Sequence, residues 1–278
     1  FGYGAKVLQL GLSTGVKELA VTNSVIDMSA GSGIVATGAS VNAIAAIIDL
    51  TAATSVATSI TASNCSIRGK YSSASGTVNL HILNAQSTLT AGTLTIADSG
   101  VATATPVIQN GPVTFSGAVS NTTIIISDLA CSATTSPGTL ICVYFTSTVT
   151  GGSIDINGVS RAISGSTAGV YYGVYFLGVI SGTSPLSIKG VALTLSISGA
   201  AGNVDVHAVR FATTVAGSGA VGSALNCSEN SISGSVSTVS DYFDCFMFFF
   251  AVTVSDFEHV ELSGNSMAGL SIAASAEC

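Results

Sequence analysis

The chain has 278 residues, 47% of them apolar and only 8% charged, with 14 Asp and Glu against 7 Lys and Arg. That length and apolar content suffice for a sizeable core, while the scarcity of positive charge excludes a nucleic-acid surface, which needs clustered Lys and Arg. A mean hydropathy of +0.66 invites a membrane reading, but the greasiest stretch, DYFDCFMFFFAVTV at 241–254, is interrupted by Asp244. It falls short of the roughly 20 apolar residues of a spanning helix, so no transmembrane segment is expected.

Gly at 31 positions, with abundant Ser, Thr, Ala and Val, is poor helix material and good strand-and-turn material. An all-β protein is predicted. Four prolines mark no linker, and the composition does not shift along the chain, so 1–278 reads as a single domain. The start, FGYGAKVLQL, holds no signal peptide. The abrupt ends suggest a mature or excised portion of a longer polypeptide.

In chain order, residues 33–48 and Leu80-His81-Ile82 hold weak copies of a unit that is clearer downstream. From there the pattern apolar-x-Phe-x-x-x-Val/Ile recurs as VTFSGAV, VYFTSTV, VYFLGVI, VRFATTV and FFFAVTV. Its aromatic members are Phe115, Phe145, Phe176, Phe211 and Phe250, at intervals of 30, 31, 35 and 39. A second series reads Ile163-Ser164-Gly165, Ile197-Ser198-Gly199, Ile232-Ser233-Gly234 and Met267-Ala268-Gly269, with Ile67-Arg68-Gly69 as an earlier member. A third precedes it: Ile154-x-Ile156-x-Gly158, Leu186-x-Ile188-x-Gly190 and Val260-x-Leu262-x-Gly264.

Strand alternation sends Val143, Phe145, Ser147 and Val149 to one face and Tyr144, Thr146 and Thr148 to the other. One copy cannot bury such a face, but copies stacked in parallel place Phe on Phe and Val on Val. The prediction is a single-stranded parallel β-helix, a solenoid of about seven or eight rungs of roughly 34 residues, with three short strands and three Gly-assisted turns per rung. The stack would be on the order of 35 Å long. A β-sandwich is the competing architecture, but it has no reason to repeat three series in constant order. In this scheme 241–254 is a late rung with Phe248, Phe250, Val252 and Val254 inside.

Six cysteines without a CxxC pair argue against zinc and for disulfides in an oxidising compartment. Overlaying the last two rungs at an offset of 35 brings Cys245 near Cys278 as a staple, and Cys131 with Cys142 could close one turn; buried free thiols are the alternative. Sequons at Asn64, Asn121 and Asn226 add to a secreted or cell-surface reading.

Catalytic chemistry is thinly represented. Glycosidase-type carboxylate pairs could come from Asp241 and Asp244 or from Glu258 and Glu261, yet both pairs read more simply as solvated turn residues. His81 and His207 occupy similar places about four rungs apart, too far to share an ion, and His259 lies further along, so no metal and no cofactor is expected. A column of Thr148, Thr214 and Thr253 suggests an ice-binding ladder, broken by Val179 and Ala118.

The segments SENSISGS (228–235) and ELSGNSMAG (261–269), followed by VYF-like strands, resemble the large surface β-helix proteins of kinetoplastid protists, including the dispersed gene family type, within the wider pectin-lyase-like parallel β-helix architecture. The resemblance implies a glycosylated surface or shed protein, adhesive in role, and transfers no catalytic residue. The expected function is therefore an extracellular, glycosylated structural or adhesive solenoid that associates end to end into a filament. A polysaccharide-binding or polysaccharide-cleaving β-helix protein is the alternative.

Overall fold

A computed structural model describes the chain except residues 1–2, 11–16, 29–33, 37–42, 52–53, 56–58, 70, 74–77, 104–110, 135–137, 166–167, 201, 239–242 and 275–278. The described residues form strands and turns with no helix, and the named strands pair in parallel. The chain winds as a β-solenoid. One flat sheet is crossed eight times, by Tyr3–Leu10, Ala43–Leu50, Val78–Ala85, Val113–Phe115, Gly138–Phe145, Gly169–Phe176, Val204–Phe211 and Phe243–Phe250. The first and last passes have one neighbour each, so about six turns are stacked on both sides, slightly fewer than the expected seven or eight.

The register explains why a Phe every 30–39 residues builds a core. Phe115 pairs with Phe145, Phe145 with Phe176, Phe176 with Phe211 and Phe211 with Phe250. The rings stack at centroid separations of 4.5, 4.6, 5.0 and 4.9 Å, within 10° of parallel. These separations follow the strand spacing of about 4.8 Å. Below Phe115 the column continues as Ala85 and Leu50, where no Phe marked the rung and the sequence copies were weak. Val113, Val143, Val174 and Val209 form a second buried column two residues upstream.

The other two faces differ from three separate short strands per rung. In the middle of the stack they are single bent strands, Leu89–Thr103, Val119–Thr134 and Ser153–Gly165, which run along the second face, turn a corner and continue along the third. One residue per rung makes that corner with a left-handed backbone: Asn23, Asn64, Asp98, Asp128, Gly158, Gly190, Glu229 and Gly264, with φ from 48 to 76°. Asn and Asp tolerate this conformation nearly as well as Gly. The third sequence series had found only the Gly members.

Immediately after this corner an inward column runs through Cys65, Ser99, Leu129, Val159, Val191, Asn230 and Asn265, and at three of its steps a polar side chain of one rung serves the backbone of the rung before it. The Cys65 N–H donates to Ser99 Oγ at 3.2 Å, Val191 N–H to Asn230 Oδ1 at 2.9 Å and Asn230 N–H to Asn265 Oδ1 at 3.0 Å. A polar side chain here replaces the carbonyl that the bend takes away.

Two expectations need correction. The second series is slipped: Ile163 pairs with Leu195, not Ile197, and Ile197 pairs with Val236, not Ile232. The slip is by even numbers of residues, so alternation still sends Ile163, Ile197 and Ile232 inside. Val252, expected inside, is 48% exposed, because between Phe250 and Val254 the chain rounds a corner and alternation lapses. Phe248, Phe250 and Val254 do pack against the core.

Candidate functional site

The outer surface of the flat sheet carries most of the unusual side chains, arranged in columns by the same register. At its N-terminal end Asp49, fully buried, meets Lys6 Nζ at 2.5 Å and accepts from Asn84 Nδ2 at 2.9 Å and Gln86 Nε2 at 2.8 Å. Further along, Thr114, Tyr144, Tyr175, Arg210 and Phe249 follow one another in the Asn84 column. Beside it, Ile141, Tyr172, His207 and Phe246 form a second column.

These aromatic groups hold one another. Tyr144 and Tyr175 stack at 5.3 Å, the Arg210 guanidinium lies 5.6 Å from the Tyr175 ring centre and 4.8 Å from that of Phe249, and Arg210 Nη1 donates to the Tyr172 hydroxyl at 2.9 Å. His207 packs against Tyr172, Phe246 and Phe249. The stacked ring faces point along the stack and are taken by neighbouring rings or by Arg210. What they turn outward is edges and hydroxyls, so the cluster clamps the last four rungs together. Sequence reasoning missed it, having followed only the inward partners of each strand.

Among the carboxylates, Asp244 lies on this outer face one rung above Asp205, in register with it. Burial and the Asp244 charge push the Asp205 carboxyl up, against the pull of Arg210. Asp241 lies outside the described residues. Glu258 accepts a hydrogen bond from the Gly222 N–H, and Glu261 accepts from Ser263 Oγ at 2.6 Å and Asn226 Nδ2 at 3.3 Å. Those two carboxylates thus tie down turns and a strand end.

His81 and His207 fall in one column four rungs apart, and no group of three or more metal-ligating side chains occurs among the described residues. Burial is the main force lowering both imidazoles, to about 4 each. A His kept neutral in the fold but charged when unfolded favours the unfolded state increasingly as pH falls from about 6.5 towards 4. Urea unfolding is therefore expected to show a lower midpoint at pH 4.5 than at pH 7.5, with His81 alone accounting for up to about 3 kcal/mol. His81→Leu should flatten the dependence; an unchanged slope would show that these imidazoles are not held neutral.

The sequon asparagines differ in setting. Asn121 is exposed with φ 49°. Asn64 is exposed, but its Nδ2 already donates to Asn23 Oδ1 at 2.6 Å, at the rim of a surface depression of about 450 Å³ that Arg68, Asp98 and Asp128 also line. Asn226 sits within the strand Ala224–Ser228, half-buried. The Thr148, Val179, Thr214 and Thr253 column is real, but it runs along a corner one residue wide.

Cys65, Cys131, Cys142, Cys227 and Cys245 are unbonded thiols; Cys278 lies outside the described residues, and so does its pairing with Cys245. No described helix is long and apolar enough to cross a membrane.

Among the described residues, the C-terminal end of the stack is an uncovered apolar surface. All eight residues of Phe243–Phe250 are half-buried, whereas most of their partners in Val204–Phe211 are buried. Val252, Val260, Leu262, Met267 and Ile272 are 41–51% exposed around the same end. Each of the rings Phe246, Phe249 and Phe250 has partners in its own rung or the rung before, and turns its other side outward along the stack. Compared with known proteins, the chain matches no family model, no curated protein and no solved structure.

Proposed function

We propose that this chain is an extracellular, glycosylated structural or adhesive solenoid, extended end to end by further rungs of like strands. The observation that carries the reading is the last rung, left uncovered among the described residues, a parallel strand edge that presents phenylalanine faces in the register at which the four phenylalanine rungs before it stack. Such an edge needs a polar cap or a partner. Charge is arranged to match. Residues 1–70 hold Lys6, Lys17, Arg68 and Lys70 against Glu18, Asp27 and Asp49, whereas 229–278 hold seven acidic residues and no Lys or Arg. A second copy offering its Tyr3–Leu10 strand to Phe243–Phe250 would bring a mildly positive end to a strongly negative one, and a heterologous contact that does not close makes a fibre. Asn121 is the sequon best placed for a glycan, on the side of such a rod and away from its ends.

Electron microscopy and light scattering test this. Wild-type protein should form linear particles that shorten as ionic strength rises. Phe248→Glu with Phe250→Glu should leave dispersed monomers with an unchanged circular dichroism spectrum. Wild-type protein that stays monomeric at high concentration would defeat the reading.

The adjacent carboxylates Asp205 and Asp244, flanked by Arg210 and the tyrosine hydroxyls, favour a polysaccharide-active surface as the second reading. Cleavage of an acidic polysaccharide that disappears in both Asp205→Asn and Asp244→Asn would support it; inertness towards a broad panel of polysaccharides would remove it.

A further inference from the structure

The third face has one inward column that should be wholly aliphatic. It runs Ile67, Val101, Cys131, Arg161, Leu193, Ile232, each at most 5% exposed. An arginine inside a solenoid core is costly unless its charge is met, since a guanidinium carries a permanent charge. No carboxylate lies against Arg161 among the described contacts. Its Nη1 instead donates to Cys142 Sγ at 3.3 Å, its Nε has no partner, and Cys142 is hydrogen-bonded in turn to Cys131. Cys131 and Cys142 flank one corner of a single rung, and Arg161 lies over Cys131 from the next. The residues lining the small void beside them, Leu80, Val101, Gly111, Pro112 and Ser132, carry no charge.

We infer that Cys142 is held as a buried thiolate, the counter-charge of Arg161, and that Cys131 and Cys142 form an exchangeable, redox-active pair instead of a structural staple. The reasoning is one of linkage. In the dithiol form the thiolate neutralises Arg161 and the Cys131 S–H donates to it. In the disulfide form both sulfurs are neutral and Arg161 is left buried without a counter-charge. The contact therefore stabilises the reduced form and makes the disulfide a readily reduced one, the logic by which stabilised thiolates produce oxidising disulfides.

Burial opposes ionisation of Cys142, but the Cys131 hydrogen bond and the Arg161 charge outweigh it and bring the thiol to about 7. Burial, reinforced by Cys142, pushes Cys131 well above its usual range. Oxidation by a small-molecule disulfide balances as follows. The Cys142 thiolate attacks one sulfur and expels the other as a thiolate. Cys131 then gives up its proton and attacks the Cys142 sulfur of the mixed disulfide, releasing the second thiol. Two electrons pass from the pair to the external disulfide, and access requires the corner to open transiently.

Equilibration of the native, pre-reduced protein in glutathione buffers, followed by alkylation and mass spectrometry, tests the pair. Arg161→Leu, which copies Leu193 one rung on, should favour the disulfide by about tenfold or more, equivalent to roughly 30 mV for this two-electron couple. An equilibrium equal to wild type, or shifted towards the dithiol, would overturn the inference. A second measurement needs no arginine variant: the thiolate ultraviolet absorbance of the folded wild type should rise with a midpoint near pH 7 and be lost in Cys142→Ser. No thiolate below pH 9 in the wild type would overturn it equally.

Discussion

Phe176→Ala is expected to destabilise the chain by about 3–5 kcal/mol. Its ring is 1% exposed and sandwiched between Phe145 at 4.6 Å and Phe211 at 5.0 Å. Truncation therefore removes two stacked contacts, each worth about 0.5–1.5 kcal/mol beyond burial, and opens a cavity that rigid strands above and below cannot close. Phe250→Ala is the control. Phe250 stacks on one side only and is half-buried, so its loss should cost less than half as much in the monomer. Chemical denaturation of both variants decides the point. Equal costs would show that the rings are not energetically coupled along the axis, as the stacking requires.

Asn230→Ala should rank next, at about 2–4 kcal/mol. The side chain is fully buried and its amide works in both directions. Oδ1 accepts from the Val191 N–H, and Nδ2 donates to Ile188 O at 3.3 Å and Asn265 Oδ1 at 3.0 Å. Removal strands the Val191 N–H in a dry core just after the left-handed corner, where no strand carbonyl is available to replace the lost acceptor. Asn230→Asp keeps an acceptor for Val191 but loses the donor, and should recover part of the stability at neutral pH. Alanine and aspartate variants equal to each other and close to wild type in urea midpoint would mean that Asn230 is not the backbone's partner.

The same contrast runs through the molecule. Where a feature depends on one strand's own alternation and on like residues recurring, the sequence displayed it. The Phe115, Phe145, Phe176, Phe211 and Phe250 intervals are the register intervals of the flat sheet, because a stack with matching layers has to return the same side chain to the same place. The Ile156, Ile188 and Gly158, Gly190 correspondences survived for the same reason. Features that depend on a partner rung were not legible. The two-residue slip of Ile163 against Ile197 leaves every side chain on its proper face, so hydrophobic pattern cannot detect it; only pairing geometry can. The left-handed corner hid behind residue identity, since Asn64, Asp128 and Glu229 do there what Gly158 does.

What the amino-acid order determined by itself is the architecture: poor helix formers, alternating strands and a recurrent aromatic unit permit burial only by stacking. What tertiary structure decided is which outward and inward neighbours meet. Arg210 finds Tyr172, Tyr175 and Phe249 over sequence separations of 38, 35 and 39 residues, and Arg161 finds Cys142 across the core from another face. Turn lengths vary from rung to rung, and each changes the distance along the chain to the next layer. A contact between layers is therefore set by the sum of those turns, a quantity no local pattern records.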